Sequence, residues 1–191
     1  MRTVVLLIVC LSMIACSSAY WQQRWLGRTP EKAVALAPSA ERTLVVPLRF
    51  GRNPSDASRR GTLALASGLT AAGVQAMAEP GERVSPDPET YRLISELTSE
   101  VDFYGTAPEE LSGKVAERYN ADRIVFVDVF TYETYWRGIE RRSKVGMRAL
   151  SLNVATGELK DVTRTGDGRG FGVGIRDVER RTVAELVEAL K

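Results

Sequence analysis

Residues 163 to 177 read TRTGDGRGFGVGIRD, with glycine at 166, 168, 170, 172 and 174 and a helical pattern directly after. A glycine-rich turn before a helix can cradle a phosphate, because its backbone N–H groups and the helix N-terminus both attract anions. The spacing argues against that chemistry. It contains neither GxxxxGK[ST] nor GxGxxG, and no lysine follows. In an extended chain, strict alternation instead leaves one face without side chains. Asp167, Arg169, Phe171, Val173 and Ile175 would then share the opposite face. The stretch is expected to be a flexible connector or a bare-faced strand that another element approaches closely. Phosphate binding is the reading its spacing supports least.

The rest of the chain offers little to a catalyst. Histidine is absent, which removes the commonest general base and metal ligand. The two cysteines, Cys10 and Cys16, both fall in the first sixteen residues. The body of the protein therefore holds no disulfide framework, CxxC zinc site or Cys–His pair. No GxSxG or HExxH occurs. Asp128 interrupts an otherwise apolar run, and a carboxylate buried there would need a partner. It is expected near a strand end or paired with an arginine. The missing groups point away from an enzyme, a metal centre and a cofactor. A formal net charge of +2 gives no bulk field for nucleic acid.

One segment has the residue types of a binding surface. Tyr132, Tyr135, Trp136, Arg137, Arg141 and Arg142, with Lys144 close behind, are concentrated in thirteen residues. Tyrosine, tryptophan and arginine are enriched at interface hot spots. The same set would suit a partner protein, lipid headgroups or an anionic glycan. The plainer alternative is a hairpin whose rings pack on its own sheet and whose charges are solvated.

The chain opens MRTVVLLIVCLSMIACSSAY. Arg2 supplies a positive start, Val4 to Ala15 an apolar core, and small residues follow. That is the layout of a secretory signal peptide, short for a transmembrane helix. Met13-Ile14-Ala15-Cys16 resembles the lipobox of bacterial lipoproteins, with methionine where leucine is usual. The resemblance implies a signal peptide over 1–15, lipid on Cys16 and a tether over 16–42. Ser17 after the cysteine implies, by resemblance to enterobacterial sorting, a periplasm-facing outer-membrane address. Cleavage after Ala19 and an uncleaved anchor are the rival arrangements. Without Cys16 the mature chain has no free thiol, which suits an oxidising compartment. Tyr20, Trp21 and Trp25 in the tether either meet headgroups or cover the domain.

Hydrophobic residues at 44% and charged residues at 26% are the composition of a globular body. Thr43 to Phe50 is a β-rich run, with Pro47 suggesting an edge or a bulge. Residues 62 to 78 place Leu63, Ala66, Leu69, Gly73, Val74 and Met77 near one helical stripe. Glu79-Pro80-Gly81 ends it. A short strand is possible over 82–85. Tyr91, Ile94, Leu97 and Val101 mark a helix over 89–101. Thr106-Ala107-Pro108-Glu109 reads as a capping box starting another, to Tyr119. Ile124 to Phe130 is apolar on both faces, as in a doubly covered strand. Tyr132 to Trp136 continues past the sheet. Residues 145 to 155 form a strand, Thr156-Gly157 turns it, and 158 to 165 return as a polar edge. Arg176 to Leu190 closes as an amphipathic helix. The expected fold is α+β, a single mixed sheet with packed helices spanning 43–191.

The order YNADRIVFVDVFTYE, then SLNVATGELK, then a glycine-containing strand resembles periplasmic lipoproteins of the curli-secretion and penicillin-binding-protein-activator type. It also resembles the N-terminal domain of the Tol translocation protein. Ala121, Asp122, Ile124 to Val129, Thr156 and Gly157 carry the resemblance. It implies an outer-membrane lipoprotein, non-enzymatic, that binds envelope proteins in assembly, secretion or regulation of cell-wall synthesis, with homo-oligomers possible. The alternative is a lipoprotein that binds a small ligand or cell-wall glycan. Pore formation would need membrane-crossing hairpins. Tyr132 to Lys144 is the one candidate, and its basic tip argues against it.

Overall fold

Ile124, Val125, Phe126 and Val127 are all fully buried. Successive side chains of a strand point to opposite faces, so the sheet that holds them needs cover on both sides. The computed structural model describes residues 39–52, 54–81, 87–170 and 173–191. Among them are five strands: β1 (Ser39–Pro47), β2 (Val74–Ala78), β3 (Arg123–Arg137), β4 (Glu140–Asn153) and β5 (Leu159–Arg169). Four α-helices accompany them: α1 (Asp56–Ala71), α2 (Pro88–Tyr104), α3 (Glu109–Tyr119) and α4 (Ile175–Leu190). The strands form one sheet of order β2-β1-β3-β4-β5. Pairing is parallel from β2 to β3 and antiparallel from β3 to β5. The expected α+β fold with a mixed sheet is the observed one. Cys16, the signal peptide and the proposed strand over 82–85 lie outside the described residues.

Each face has its own core. On one, Val45, Val125, Val127, Met147 and Val162 pack with Leu65 and Leu69 of α1 and with Val178, Leu186 and Val187 of α4. On the other, Leu44, Val46, Ile124, Phe126, Leu150 and Leu152 pack with Ile94, Leu97 and Val101 of α2 and Val115 of α3. Burying each such side chain is worth about 1.5–3 kcal/mol, which holds the three layers together. Local signals set the helix ends. The Ser55 hydroxyl accepts the Ser58 N–H at 3.1 Å to start α1. Asp87 caps α2, Pro88 fills its first position, and left-handed Gly105 ends it.

Several expectations are corrected. The helix read over 62–78 is two elements. α1 starts at Asp56 and stops at Ala71, and the chain reverses through Gly73 at φ 88°. Residues 74–78 then add the strand β2 beside β1, with Thr43 opposite Ala76 and Leu44 opposite Met77. The i, i+3 coincidence of Val74 and Met77 imitated a helical stripe. Backbone pairing with β1 decides otherwise. The buried stripe of α1 is Gly61, Thr62, Leu65, Ala66 and Leu69, so Leu63 is half exposed.

β1 begins at Ser39 rather than Thr43, and Pro47 ends an inner strand rather than lying on an edge. Leu48 N–H donates to the Val127 carbonyl at 2.8 Å, so the Pro47 nitrogen faces the β2 side. There the ladder has already finished at Val45 and Ala78, and the missing N–H costs nothing. The capping box does not form. α3 starts at Glu109 with Pro108 as its cap and no side-chain bond.

Candidate functional site

Gly166 and Gly168 belong to β5, opposite Val145 and Ser143 of β4. Their bare face is where α4 lies. A Cβ at Gly166 would stand 2.3 Å from the Thr182 hydroxyl oxygen and 2.8 Å from Val178 Cγ1. At Gly168 it would stand 2.6 Å from Val178 Cγ2 and 2.7 Å from Val173 Cγ1. The connector expectation is thus corrected for Gly166 and Gly168, and the stretch is a close-packing strand through Arg169. The strand ends there, and Val173 folds onto the glycine side instead of sharing a face with Asp167 and Arg169 as expected. The anion-loop chemistry fails for a local reason. The Gly174 N–H at the start of α4 donates to the chain's own Asp177 carboxylate at 3.0 Å, which fills the place a phosphate would take.

β3 and β4 continue together to a two-residue turn at Gly138-Ile139, where Gly138 has φ 63°. An irregularity between Val129 and Thr131 shifts the pleat partway. Beyond it the cross-strand pairs are Tyr132 with Val145, Tyr135 with Arg142, Trp136 with Arg141 and Arg137 with Glu140. The pleat divides the six residues singled out from sequence. Tyr132 is drawn into the domain. Its hydroxyl donates to Glu179 of α4 at 3.1 Å, and the Arg60 guanidinium lies 5.1 Å from its ring. Burial, then the Glu179 charge, pushes its phenol above the usual range. Trp136 and Arg141 share that side of the ribbon but lie farther out. Tyr135 and Arg142 are on the other side, where Arg142 pairs with Glu140 at 3.0 Å. Trp136 is 61% and Ile139 84% exposed.

The other surface was not legible in advance. On the α2 and α3 side, helices cover Ile124, Phe126, Leu150 and Leu152, and the sheet beyond them is polar. Rows run across three strands: Asp128–Arg148–Thr163, Glu133–Lys144–Asp167 and Tyr135–Arg142–Arg169. The Phe130 ring lies across Gly146, where a Cβ would stand 2.4 Å from it. Asp128 is half-buried at mid-strand, in register with Arg148 but not ion-paired to it, so neither the strand-end expectation nor the arginine pair is met. Arg148 binds Asp161 through two nitrogens, the nearer contact at 2.7 Å. That bond first, then the charges of Asp161, Asp128 and Asp102, raises its guanidinium above the ordinary value. Asp102 also meets Arg52 at 3.8 Å, and Arg52 lies 3.8 Å over the Phe103 ring. Phe103, Tyr104 and Phe130 are all more than half exposed. Phe103 falls outside the Ile94, Leu97, Val101 stripe, which is the sequence signal that marks it, whereas Tyr104 keeps the phase of the stripe but is the last residue of α2 and stays exposed.

Among the described residues no three His, Cys, Asp or Glu side chains are grouped to hold a metal ion. No helix there is long and apolar enough to cross a membrane. A shallow groove of about 880 Å³ between α1 and α4 has a floor of Ala64, Gly68, Ala72, Val183 and Val187.

The geometry defines a class first: a three-layer domain with one mixed sheet, half of it open on one face. No protein-family model matches the chain, and no curated protein matches it. Solved structures share its fold. A dodecameric variant of PelC from Paraburkholderia phytofirmans is 19% identical, with a TM-score of 0.51 over 82% of this chain and 93% of that one. The hypothetical protein CT253 from Chlamydia trachomatis is 9% identical, with a TM-score of 0.50 over 80% and 96%. The lipoprotein GNA1162 from Neisseria meningitidis is 19% identical, with a TM-score of 0.46 over 80% and 95%.

Proposed function

We propose that this protein is a lipid-anchored protein of the bacterial envelope that works by binding another envelope protein rather than by catalysis. The observation that carries the binding role is the open half of the sheet. There Phe130 lies exposed across Gly146, beside the Arg148–Asp161 pair. An exposed ring of that size flanked by arginine is the composition of an interface core and its rim. Tyr135 and Arg142 extend the same face. Because PelC of similar fold is a dodecamer, further copies of this chain are among the partners we propose. The resemblance to curli-secretion, penicillin-binding-protein-activator and Tol domains supports the same role. The address rests on Met13 to Cys16 and on Ser17, which favour acylation and the outer membrane.

Two experiments test the two parts separately. Cross-linked envelopes are passed over tagged protein, with Phe130→Ala as the control. A discrete protein complex lost in the variant supports the binding role, and recovery of peptidoglycan alone sinks it. Cys16→Ala should abolish lipid labelling and release the protein from membranes. Retention in the membrane fraction would show the lipidation reading to be wrong.

A further inference from the structure

The end of the β3–β4 ribbon has a composition that neither the fold nor a one-sided interface explains. Ile139 caps the turn at 84% exposure, and Trp136 is 61% exposed. Tyr135 and Trp136 are successive residues, so the pleat sends their rings to opposite faces of the ribbon. Arg137 and Glu140 close the turn between Ile139 and the rings, Arg141 and Arg142 stand opposite Trp136 and Tyr135, and Arg169 stands beside Arg142, with Glu140 the one acid among these tip residues. Arg142 lies directly opposite Arg169 in register, and like charges so placed oppose pairing. Glu140 is bonded to Arg142, which leaves the Arg169 side of that row to be balanced from outside.

A flat protein surface or a glycan strand would engage one face of this ribbon. A medium that surrounds the tip engages both. A bilayer interface offers a partner to each residue type. Its acyl boundary takes an isoleucine, its headgroup zone takes tryptophan and tyrosine rings, and its phosphates take arginines. We propose that the Arg137–Glu140 turn with Trp136 and Tyr135 is a membrane-docking tip for a bilayer bearing anionic phosphate headgroups. It inserts to the depth of the interface and does not cross. This goes beyond the protein-binding role and does not depend on acylation of Cys16.

The test uses the unacylated mature chain, Cys16→Ser. Vesicles are phosphatidylcholine with one quarter phosphatidylglycerol, against phosphatidylcholine alone. The protein should co-sediment with the anionic vesicles and lose that binding as salt rises. Ile139→Asp with Trp136→Ser should weaken it about tenfold or more. Arg137→Gln with Arg141→Gln should weaken it and flatten the salt dependence. These side chains are at the exposed turn, so melting temperatures should match the parent. Should Ile139→Asp melt lower, Ile139→Ser gives the same comparison. In a Trp21→Phe, Trp25→Phe chain, bromine-labelled acyl chains should quench Trp136. Equal binding by parent and tip variants, equal binding to neutral vesicles, or unquenched Trp136 each overturns the proposal. So does capture of the tip by protein cross-links in envelopes without lipid contact.

Discussion

Thr182 of α4 sits over Gly166 of β5 so closely that a methyl group at residue 166 would stand 2.3 Å from its hydroxyl oxygen. That hydroxyl is held in place, since it donates to the Val178 carbonyl at 2.9 Å. Gly166→Ala must therefore push helix from sheet. It should destabilise by about 1–3 kcal/mol in chemical denaturation. Thr182→Ala removes the opposing oxygen, and the double variant should recover part of the loss. A double-mutant cycle showing strict additivity would mean the two residues are not in contact in solution.

Gly73→Ala separates the two assignments of residues 62–78 by the sign of its effect. In a continuous helix the change would stabilise by about 0.5–1 kcal/mol. At φ 88° it should destabilise by about 1–2 kcal/mol instead, because a Cβ is crowded in left-handed backbone. Urea unfolding of the single variant decides it.

The α2–α3 clasp makes stability depend on acid pH. Hydrogen bonds from Thr90 and then Arg118 hold the Asp87 carboxyl at about 2, below its ordinary value near 4. A carboxylate with a depressed native pKa contributes stability that is fully present above the unfolded value and lost as pH falls through the folded one. Stability should decline between about pH 4 and pH 2. Asp87→Asn should flatten that decline, and an unchanged acid limb would exclude the clasp as its source.

Alkaline pH should act through phenols. Burial and Glu79 raise the Tyr119 hydroxyl above its ordinary range, as burial and Glu179 raise Tyr132. A raised native pKa contributes stability that is present below the unfolded value near 10 and lost as pH rises through the folded one. Melting temperature should fall above about pH 10. Tyr132→Phe, which removes the 3.1 Å bond to Glu179, should cost about 0.5–1.5 kcal/mol at neutral pH and shrink the alkaline loss.

Phe126 and Phe130 lie four residues apart on β3 and should behave oppositely. Phe126 is fully buried, and Phe130 is 52% exposed. Phe126→Ala should cost about 3–5 kcal/mol. Phe130→Ala should stay within about 1 kcal/mol while reducing partner capture from envelopes. A large stability loss at residue 130 would make its ring structural.

Strands and helices with a strong local pattern were legible. Ile124 to Val127 announces double cover because nothing polar interrupts it, and Val183, Leu186, Val187 and Leu190 keep one helical phase. Elements of few residues were not. Val74 to Ala78 carries no more than five residues of pattern, too few to tell period 2 from period 3.6 when the preceding helix is in phase. The binding candidates were found as a segment and then divided, since alternation along β3 sends Tyr135 and Trp136 to opposite faces. Phe103, Arg52 and Arg148 share one charged neighbourhood although they are distant in the chain, so no local pattern could have grouped them.

Legible along the chain are the α+β class, the apolar central strand, the poverty of catalytic groups and the lipobox-like Cys16. These follow from composition and short-range periodicity, which a chain carries before it folds. Tertiary structure decided what the alternate glycines are for. Gly166 and Gly168 have no distinguishing local chemistry, and their meaning comes from Val178 and Thr182, ten or more residues on, pressing against the face they leave bare. It likewise decided which aromatics stay outside, because exposure depends on where the helix layer stops, and that is fixed by packing between elements rather than by any one of them.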